Sequence, residues 1–174
     1  MTEKTNTGEN RVEPGILGLM QIEMNELNLR RFAADIGSSL QGGEVIELIG
    51  DVGSGKTTFT KGLAEGMDIT EDVTSPSFTI SRVYESEERG LLLAHYDFYR
   101  LTDAGIMANE LSETVRDRLT VTVIEWADLV EDVLPKDRLT IRFSASSETM
   151  RHMDLAAGGE DSRQLMEAIR DFAY

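Results

Sequence analysis

Eight consecutive residues have the types and the spacing of a phosphate-binding loop: Gly50-Asp51-Val52-Gly53-Ser54-Gly55-Lys56-Thr57. Glycines let such a loop curl until its backbone N–H groups converge on one anion, and the helix that follows adds the positive end of its dipole. In this arrangement Lys56 reaches the β- and γ-phosphates of a nucleotide, and the Thr57 hydroxyl holds a magnesium ion on the same oxygens. The predicted nucleotide contacts are Asp51, Val52, Gly53, Ser54, Gly55, Lys56, Thr57 and Thr58.

Two acidic residues end apolar, strand-like runs. Asp97 closes the run from Leu91 to Tyr96, and Glu125 closes the run from Thr120 to Ile124. In open α/β sheets the ligand lies beyond the carboxyl ends of the strands, so both acids are expected to face the nucleotide. Asp97 is expected to bind the hydrated magnesium ion opposite Thr57. Glu125 would complete the metal shell or orient the attacking water.

A hydroxyl-rich segment, Thr74-Ser75-Pro76-Ser77-Phe78, lies between the loop's helix and the next strand. Many P-loop proteins carry a segment there that senses the γ-phosphate through a hydroxyl, which makes Thr74 and Ser75 candidates. On composition alone, such a segment is more often a plain turn stopped by proline. Arg100 is a further candidate, either for transition-state charge or for pairing with a neighbouring acid.

Two single residues near the acids are assigned to packing. His95 lies within an apolar strand, which favours an interior histidine held by ordinary hydrogen bonds over a catalytic one. Trp126, the only tryptophan, directly follows Glu125 and is expected at the rim of the core, where it should report on the site.

The surrounding pattern must supply a strand before the loop and a helix after it. Glu44–Ile49 is strand-like, and the helix after the loop continues through Ala64 and ends near Gly66. An earlier helix begins at Asn25, which can cap it, and ends at Gly42-Gly43. Its apolar positions are Leu29, Phe32, Ala33, Ile36 and Leu40.

The rest of the chain predicts further strands and two more helices. Residues 78–84 and 91–97 read as a hairpin, Thr120–Ile124 as a buried strand, and 139–143 and 150–156 as outer strands. One helix carries Ile106, Leu111, Val115 and Leu119, and a last one over 162–172 turns Leu165, Ile169 and Phe172 inward. The predicted fold class is α/β: a three-layer α/β/α P-loop NTPase-like sandwich, with a mainly parallel central sheet and antiparallel edge strands.

Composition limits the possible functions. With 174 residues and 40% hydrophobic content the chain suits one domain, predicted at 21–174 after a disordered tail at 1–20. A net charge of −15 argues against direct nucleic-acid binding, which needs a positive surface. The absence of cysteine excludes disulfides and thiolate chemistry. No signal peptide or membrane span is visible, so a cytoplasmic location is expected.

Four motifs together resemble the TsaE (YjeE) family of small bacterial ATPases. They are the loop Gly53-Ser54-Gly55-Lys56-Thr57-Thr58-Phe59, then Ser75-Pro76-Ser77-Phe78, His95-Tyr96-Asp97-Phe98-Tyr99-Arg100 and Ile124-Glu125-Trp126, in that order. Many proteins share the first motif, but the other three at these spacings are specific. The resemblance runs from about Asn25 to the C-terminus.

The resemblance implies ATP binding with Mg²⁺, slow hydrolysis by the protein alone, and action with the partners TsaD and TsaB in the threonylcarbamoyladenosine (t6A) modification of tRNA. By position, Lys56 and Thr57 match the phosphate and magnesium residues, Asp97 and Glu125 the two active-site acids, and Thr74 to Ser77 the switch-like loop. Two departures are small. The chain has Val52-Gly53-Ser54 where the family commonly has Leu, Gly and Ala, and Ser77 where Thr is usual.

Two other functions stay open on the residues alone. A small-molecule kinase would direct a substrate hydroxyl at the γ-phosphate, but it usually needs an arginine-rich lid, which this chain lacks. A non-hydrolysing module would use the bound nucleotide only to order a protein-docking surface. A GTPase is disfavoured because no Asn-Lys-x-Asp motif occurs.

Overall fold

A computed structural model describes residues 18–103 and 105–170. The strands are β1 (Gly18–Asn25), β2 (Val45–Ile49), β3 (Ser81–Ser86), β4 (Leu91–Asp97), β5 (Thr120–Glu125), β6 (Leu139–Ala145) and β7 (Met150–Ala157). The α-helices are α1 (Glu26–Ser39), α2 (Lys56–Gly66), α3 (Gly105–Thr114) and α4 (Glu160–Arg170). Two short 3-10 helices, Ala127–Leu129 and Glu131–Val133, follow β5.

All seven strands form one sheet in the order β1-β7-β6-β2-β5-β4-β3. The four central strands, β6, β2, β5 and β4, are mutually parallel. Antiparallel pairs flank them on both sides, β3 with β4 and β1 with β7, which also pairs antiparallel with β6. The carboxyl ends of the central strands therefore meet at one edge of the sheet, where the loop after β2 also lies.

Two hydrophobic clusters cover the two faces of the sheet. On one face α1, α2 and α4 pack over alternate strand residues such as Ile46, Val123 and Ile141. On the other face α3 and the 3-10 segments pack over Tyr96 and Ile124. Helices on both faces of a largely parallel sheet give the α/β/α class that the sequence predicts.

The sequence prediction of α1 is confirmed in detail. Asn25 is its N-cap, and the Asn25 side chain accepts a hydrogen bond from the Asn28 backbone N–H at 2.9 Å. Leu29, Phe32 and Ile36 are buried. The helix ends at Ser39, before Gly42-Gly43.

Several boundaries differ from the predictions. Strand β1 was not predicted, and it begins inside the 1–20 range assigned to the tail, whose residues 1–17 lie outside the described part of the chain. Neither β6 nor β7 is an outer strand, because β6 lies between β2 and β7, and β7 lies between β6 and the unpredicted β1. Strand β3 begins only at Ser81, because residues 77–79 form a turn.

The two later helices also differ in part from the predicted pattern. Only Leu111 of α3 is buried, while Ile106 is 84% exposed and Leu119 lies beyond the helix. Helix α4 buries Met166 and Ile169. The predicted inward Phe172 lies outside the described residues. Among the helices of the described part, none is long and apolar enough to cross a membrane.

Tyr96 ties the strand that carries Asp97 to α3. Burial, together with the charge of Glu110, raises the pKa of Tyr96 to about 12. The neutral hydroxyl donates to Glu110 Oε1 at 3.1 Å and lies 3.0 Å from Thr114 Oγ1. The end of β4 is thereby anchored from the face opposite α2.

Glycines allow α1 and α2 to approach closely. A Cβ added to Gly62 would lie 2.2 Å from the Arg30 carbonyl oxygen and 2.8 Å from Ala33 Cβ. A Cβ on Gly66 would lie 1.8 Å from the Ala34 carbonyl oxygen. Since α2 begins at the phosphate-binding loop, this close packing also fixes the position of that loop.

Gly62→Ala tests the close packing. Alanine favours a helix by about 1 kcal/mol over glycine, but the clash with backbone atoms of α1 should dominate and lower the free energy of unfolding by about 1–3 kcal/mol. Asn109→Ala, at an exposed position of α3, is the control and should stay within about 0.5 kcal/mol of wild type. Urea denaturation measures both, and a Gly62→Ala protein as stable as wild type would refute the packing argument.

Candidate functional site

The phosphate-binding loop connects β2 to α2 as the sequence predicts. Gly55 is the residue before α2 and has φ 112°, a left-handed value that favours glycine. A Cβ at Gly55 would also come within 3.0 Å of Leu29 Cδ2. The backbone thus turns directly into the helix, whose N-terminal end faces the loop.

A cavity of about 170 Å³ opens beside the loop. Five of the eight predicted nucleotide contacts line it: Gly53, Gly55, Lys56, Thr57 and Thr58. Asp51 and Val52 are exposed instead, and Ser54 is buried with an Oγ that has no hydrogen-bond partner among the described residues.

Three further lining residues come from elsewhere in the chain: Glu26 and Arg151, which sequence reasoning missed, and Leu29, which it assigned only to the core face of α1. Glu26 accepts a 3.4 Å hydrogen bond from Thr58 Oγ1, which joins the start of α1 to the loop. No motif marks these residues, because only the packing of α1 and β7 beside the loop brings them to the cavity.

A larger cavity of about 760 Å³ lies at the opposite edge of the sheet. Its walls include Glu44, Arg118 and Leu139, which precede or begin the central strands. Ligands of open α/β sheets bind beyond the carboxyl ends of the strands, and the smaller cavity lies there. Position and residue chemistry therefore favour the cavity beside the loop as the functional site.

Lys56 is buried at the centre of the site, with a side chain only 6% exposed. Its Nζ donates to the carbonyl oxygens of Gly50 at 2.7 Å and Asp51 at 2.9 Å, and it lies 3.7 Å from Glu125 Oε2. The same Nζ is 5.4 Å from the centre of the Trp126 ring. A buried charge requires such partners, and here the partners are the loop itself and the predicted acid.

The two predicted acids are side by side. Asp97 and Glu125 are direct partners in the parallel register of β4 and β5, and both are almost fully buried. Immediately after Glu125, Trp126 takes a left-handed conformation with φ 57°, which is unusual for a bulky residue. This turn directs the chain away from the strand and leaves the indole ring near Lys56.

Asp97 is held by the hydroxyl-rich segment. Its Oδ2 accepts hydrogen bonds from Ser77 Oγ and, at 3.3 Å, from Ser75 Oγ, while its Oδ1 accepts one from the Tyr99 backbone N–H at 3.0 Å. The segment therefore contacts the predicted magnesium acid through two serine hydroxyls.

Thr74, the predicted catalytic hydroxyl of that segment, faces β3. Its Oγ1 accepts a 2.7 Å hydrogen bond from Arg82, and its backbone N–H donates to Tyr84 Oη at 3.2 Å. Arg100 stacks on the exposed ring of Phe78, with 4.4 Å from its guanidinium carbon to the ring centre. The structure thus joins Ser75 and Ser77 to Asp97, and the role of Thr74 stays a prediction.

His95 is fully buried, as the sequence predicts for an interior histidine. Its Nε2 lies 2.9 Å from Glu125 Oε1. The sequence alone could not identify this partner, because it stands 30 residues away on the neighbouring strand.

The donor set at the site suits magnesium. Thr57, Asp97 and Glu125 offer only oxygen atoms, which Mg²⁺ prefers, and Mg²⁺ is usually held by one or two carboxylates together with water and substrate phosphates. In the described part of the chain no group of three or more His, Cys, Asp or Glu side chains forms a self-sufficient metal site.

Strand, loop, helix and strand-end acids in this arrangement define the P-loop NTPase-like class of proteins. The family model described as threonylcarbamoyl adenosine biosynthesis protein TsaE matches residues 24–153. The chain belongs to the TsaE family.

Individual relatives agree with this assignment. The chain is 41% identical over 128 residues to the tRNA threonylcarbamoyladenosine biosynthesis protein TsaE of Bacillus subtilis, covering 73% of this chain and 78% of the relative. It is 34% identical over 136 residues to the protein of that name from Streptomyces coelicolor, covering 76% and 92%. The crystal structure of Bacillus subtilis YdiB superposes with a TM-score of 0.73 at 31% identity, covering 89% of this chain and 95% of that one.

Filling the site should change the fluorescence of Trp126, the only tryptophan. Because Lys56 Nζ lies 5.4 Å from the indole ring, a phosphate that draws the ammonium away will alter the polarity around the ring. Titration with ADP and with ATP measures the change. Lys61→Ala, which removes an ammonium elsewhere on α2, should keep the response, whereas a flat wild-type signal despite measured binding would contradict the placement of Trp126 beside the phosphates.

Proposed function

We propose that this chain binds ATP with Mg²⁺ at the loop between β2 and α2 and hydrolyses it slowly when alone. The observation that carries the proposal is the cluster of buried charged residues: Lys56, Asp97 and Glu125 converge beside the phosphate loop, and all three are almost fully buried. Lys56 also lines the cavity beside the loop, so this cluster of charged groups adjoins a space that a ligand can enter.

Each residue has a distinct proposed role. Lys56 would exchange the loop carbonyls for the β- and γ-phosphates, and Thr57 and Asp97 would hold the magnesium ion, which neutralises charge on the phosphate oxygens. Glu125 would complete the metal shell or orient the attacking water for in-line displacement. The remaining loop residues, from Asp51 to Thr58, would hold the phosphates through their backbone.

The segment Thr74–Ser77 is proposed as the sensor of the γ-phosphate. Ser75 and Ser77 contact Asp97, and Thr74 is bonded to Arg82 of β3. A change at Asp97, the proposed metal acid, would therefore reach the edge strand β3 through this segment. Thr74 would be the residue that connects the segment to β3 during the switch.

We further propose that ATP turnover serves the t6A modification of tRNA in the cytoplasm, through a complex with TsaD and TsaB. Its support is the family membership and the names of the relatives. The net charge of −15 argues that tRNA is bound by the partners and not by this chain. A nucleotide can switch such a complex only if the ATP and ADP forms bind the partners with different affinity.

The two alternatives predict different products. A small-molecule kinase would transfer the γ-phosphate to a hydroxylated metabolite and would show little release of free phosphate in its presence. A docking module would bind ATP and leave it intact with the partners present. Arg100 is the arginine nearest to Asp97 in the sequence, and it stacks on Phe78. A single arginine in this position is not the arginine-rich lid that would favour a kinase.

ATP turnover with Mg²⁺, measured as phosphate release with and without TsaB and TsaD of the same organism, tests the proposal. Lys56→Ala should lower turnover by at least about 100-fold, since it removes a charge that acts on the transferred phosphoryl group. Lys61→Ala is the matched control on the same helix and should retain turnover within about twofold.

Turnover that is slow alone, rises with the partners and disappears in Lys56→Ala would support the proposal. ATP that stays intact under every condition, while still bound, would favour the docking module. Phosphate found on an added metabolite would favour the kinase.

A further inference from the structure

Among the described residues, the His95 side chain has one hydrogen-bond partner, and that partner is the second predicted acid, Glu125. Its side chain is 0% exposed, and Nε2 lies 2.9 Å from Glu125 Oε1. The other carboxylate oxygen, Oε2, lies 3.7 Å from Lys56 Nζ. The two oxygens of Glu125 therefore have different partners, a fixed imidazole on one side and a lysine at the phosphate loop on the other.

The two nitrogens of the His95 ring have different surroundings. Nε2 faces a carboxylate oxygen, which accepts hydrogen bonds, so the imidazole is the donor in this contact. Nδ1 has no hydrogen-bond partner among the described residues. A buried polar atom without a partner lowers stability, so packing alone favours an apolar residue here and does not explain a histidine.

The sheet makes the contact rigid. His95 and Asp97 lie two residues apart on β4 and therefore on one face, and Glu125 is the register partner of Asp97 on β5. The histidine ring stands on the face covered by α2, between Leu93 and the acids. Its position is set by the strand and not by a loop.

We propose that His95 is a positioning residue for Glu125: it fixes Oε1 so that Oε2 stays directed at the phosphate site. Lys56 can hold Oε2 only until it moves to the phosphates of a nucleotide. From then on the His95 bond is the contact that keeps the flexible glutamate in place for the metal or the water. This inference rests on the proposed ATPase function and adds a residue to it.

Three substitutions separate positioning from packing. His95→Gln keeps an N–H donor near the place of Nε2, His95→Asn is polar but too short to reach Glu125, and His95→Leu fills the space without a donor. Loss of such a supporting contact typically costs 10- to 100-fold, so we expect kcat to fall by roughly 10- to 100-fold in the Asn and Leu variants. The KM for ATP should change less than about threefold, since the loop supplies phosphate binding, and His95→Gln should recover most of kcat.

A double-mutant cycle with Glu125→Gln tests whether His95 acts through that acid. If it does, His95→Leu should cause little further loss of kcat in the Glu125→Gln background, whereas a general structural effect would lower both backgrounds equally. Thermal unfolding of each variant checks that the fold is kept. Equal losses in the two backgrounds, or an Asn variant as active as the Gln variant, would overturn the proposal.

A second readout is independent of turnover. The affinity for ATP, followed by Trp126 fluorescence, is measured without metal and with Mg²⁺. Without metal, the Asn and Leu variants should bind ATP as tightly as wild type. With Mg²⁺, they should lose most of the increase in ATP affinity that wild type shows. If wild type binds ATP but does not hydrolyse it, the ATPase proposal is wrong. The affinity measurement still tests whether His95 positions Glu125. An unchanged Mg²⁺ gain in both variants would overturn it.

Discussion

The burial of the Lys56 ammonium is the constraint around which the site is built. A cation this far from water is tolerated only where acceptors surround it, and the chain provides the carbonyls of Gly50 and Asp51 and the carboxylate of Glu125. The loop must therefore curl back toward its own helix, and β5 must end beside it. In the proposed function, Lys56 would exchange these carbonyl oxygens for phosphate oxygens.

The rest of the fold keeps these partners in register. Parallel pairing of β4 with β5 places Asp97 opposite Glu125, and parallel pairing of β5 with β2 places Glu125 beside the start of the loop. On the covered face, close contact between α1 and α2 fixes the direction of the helix that begins at Lys56. Catalytic groups held by strands and a packed helix are positioned more precisely than groups held by loops.

Sequence reasoning identified the loop, its strand and helix, and both acids, because each has a local signature: glycine spacing, or an acid that ends an apolar run. It missed Glu26 and Arg151, which reach the cavity only through the packing of distant elements. It also missed β1, although Met20, Ile22 and Met24 alternate there, because the signal is short and lies next to a polar stretch. The bond between His95 and Glu125 could not be predicted, since strand order and register come from the whole sheet.

The most direct test of this account is a crystal structure with Mg²⁺ and a non-hydrolysable ATP analogue. We expect the analogue in the cavity beside the loop, with Lys56 Nζ moved from the carbonyls of Gly50 and Asp51 to the β- and γ-phosphates and Asp97 facing the metal. An analogue bound in the larger cavity at the opposite edge of the sheet, or phosphates in place with Lys56 still bonded to the loop carbonyls, would contradict it.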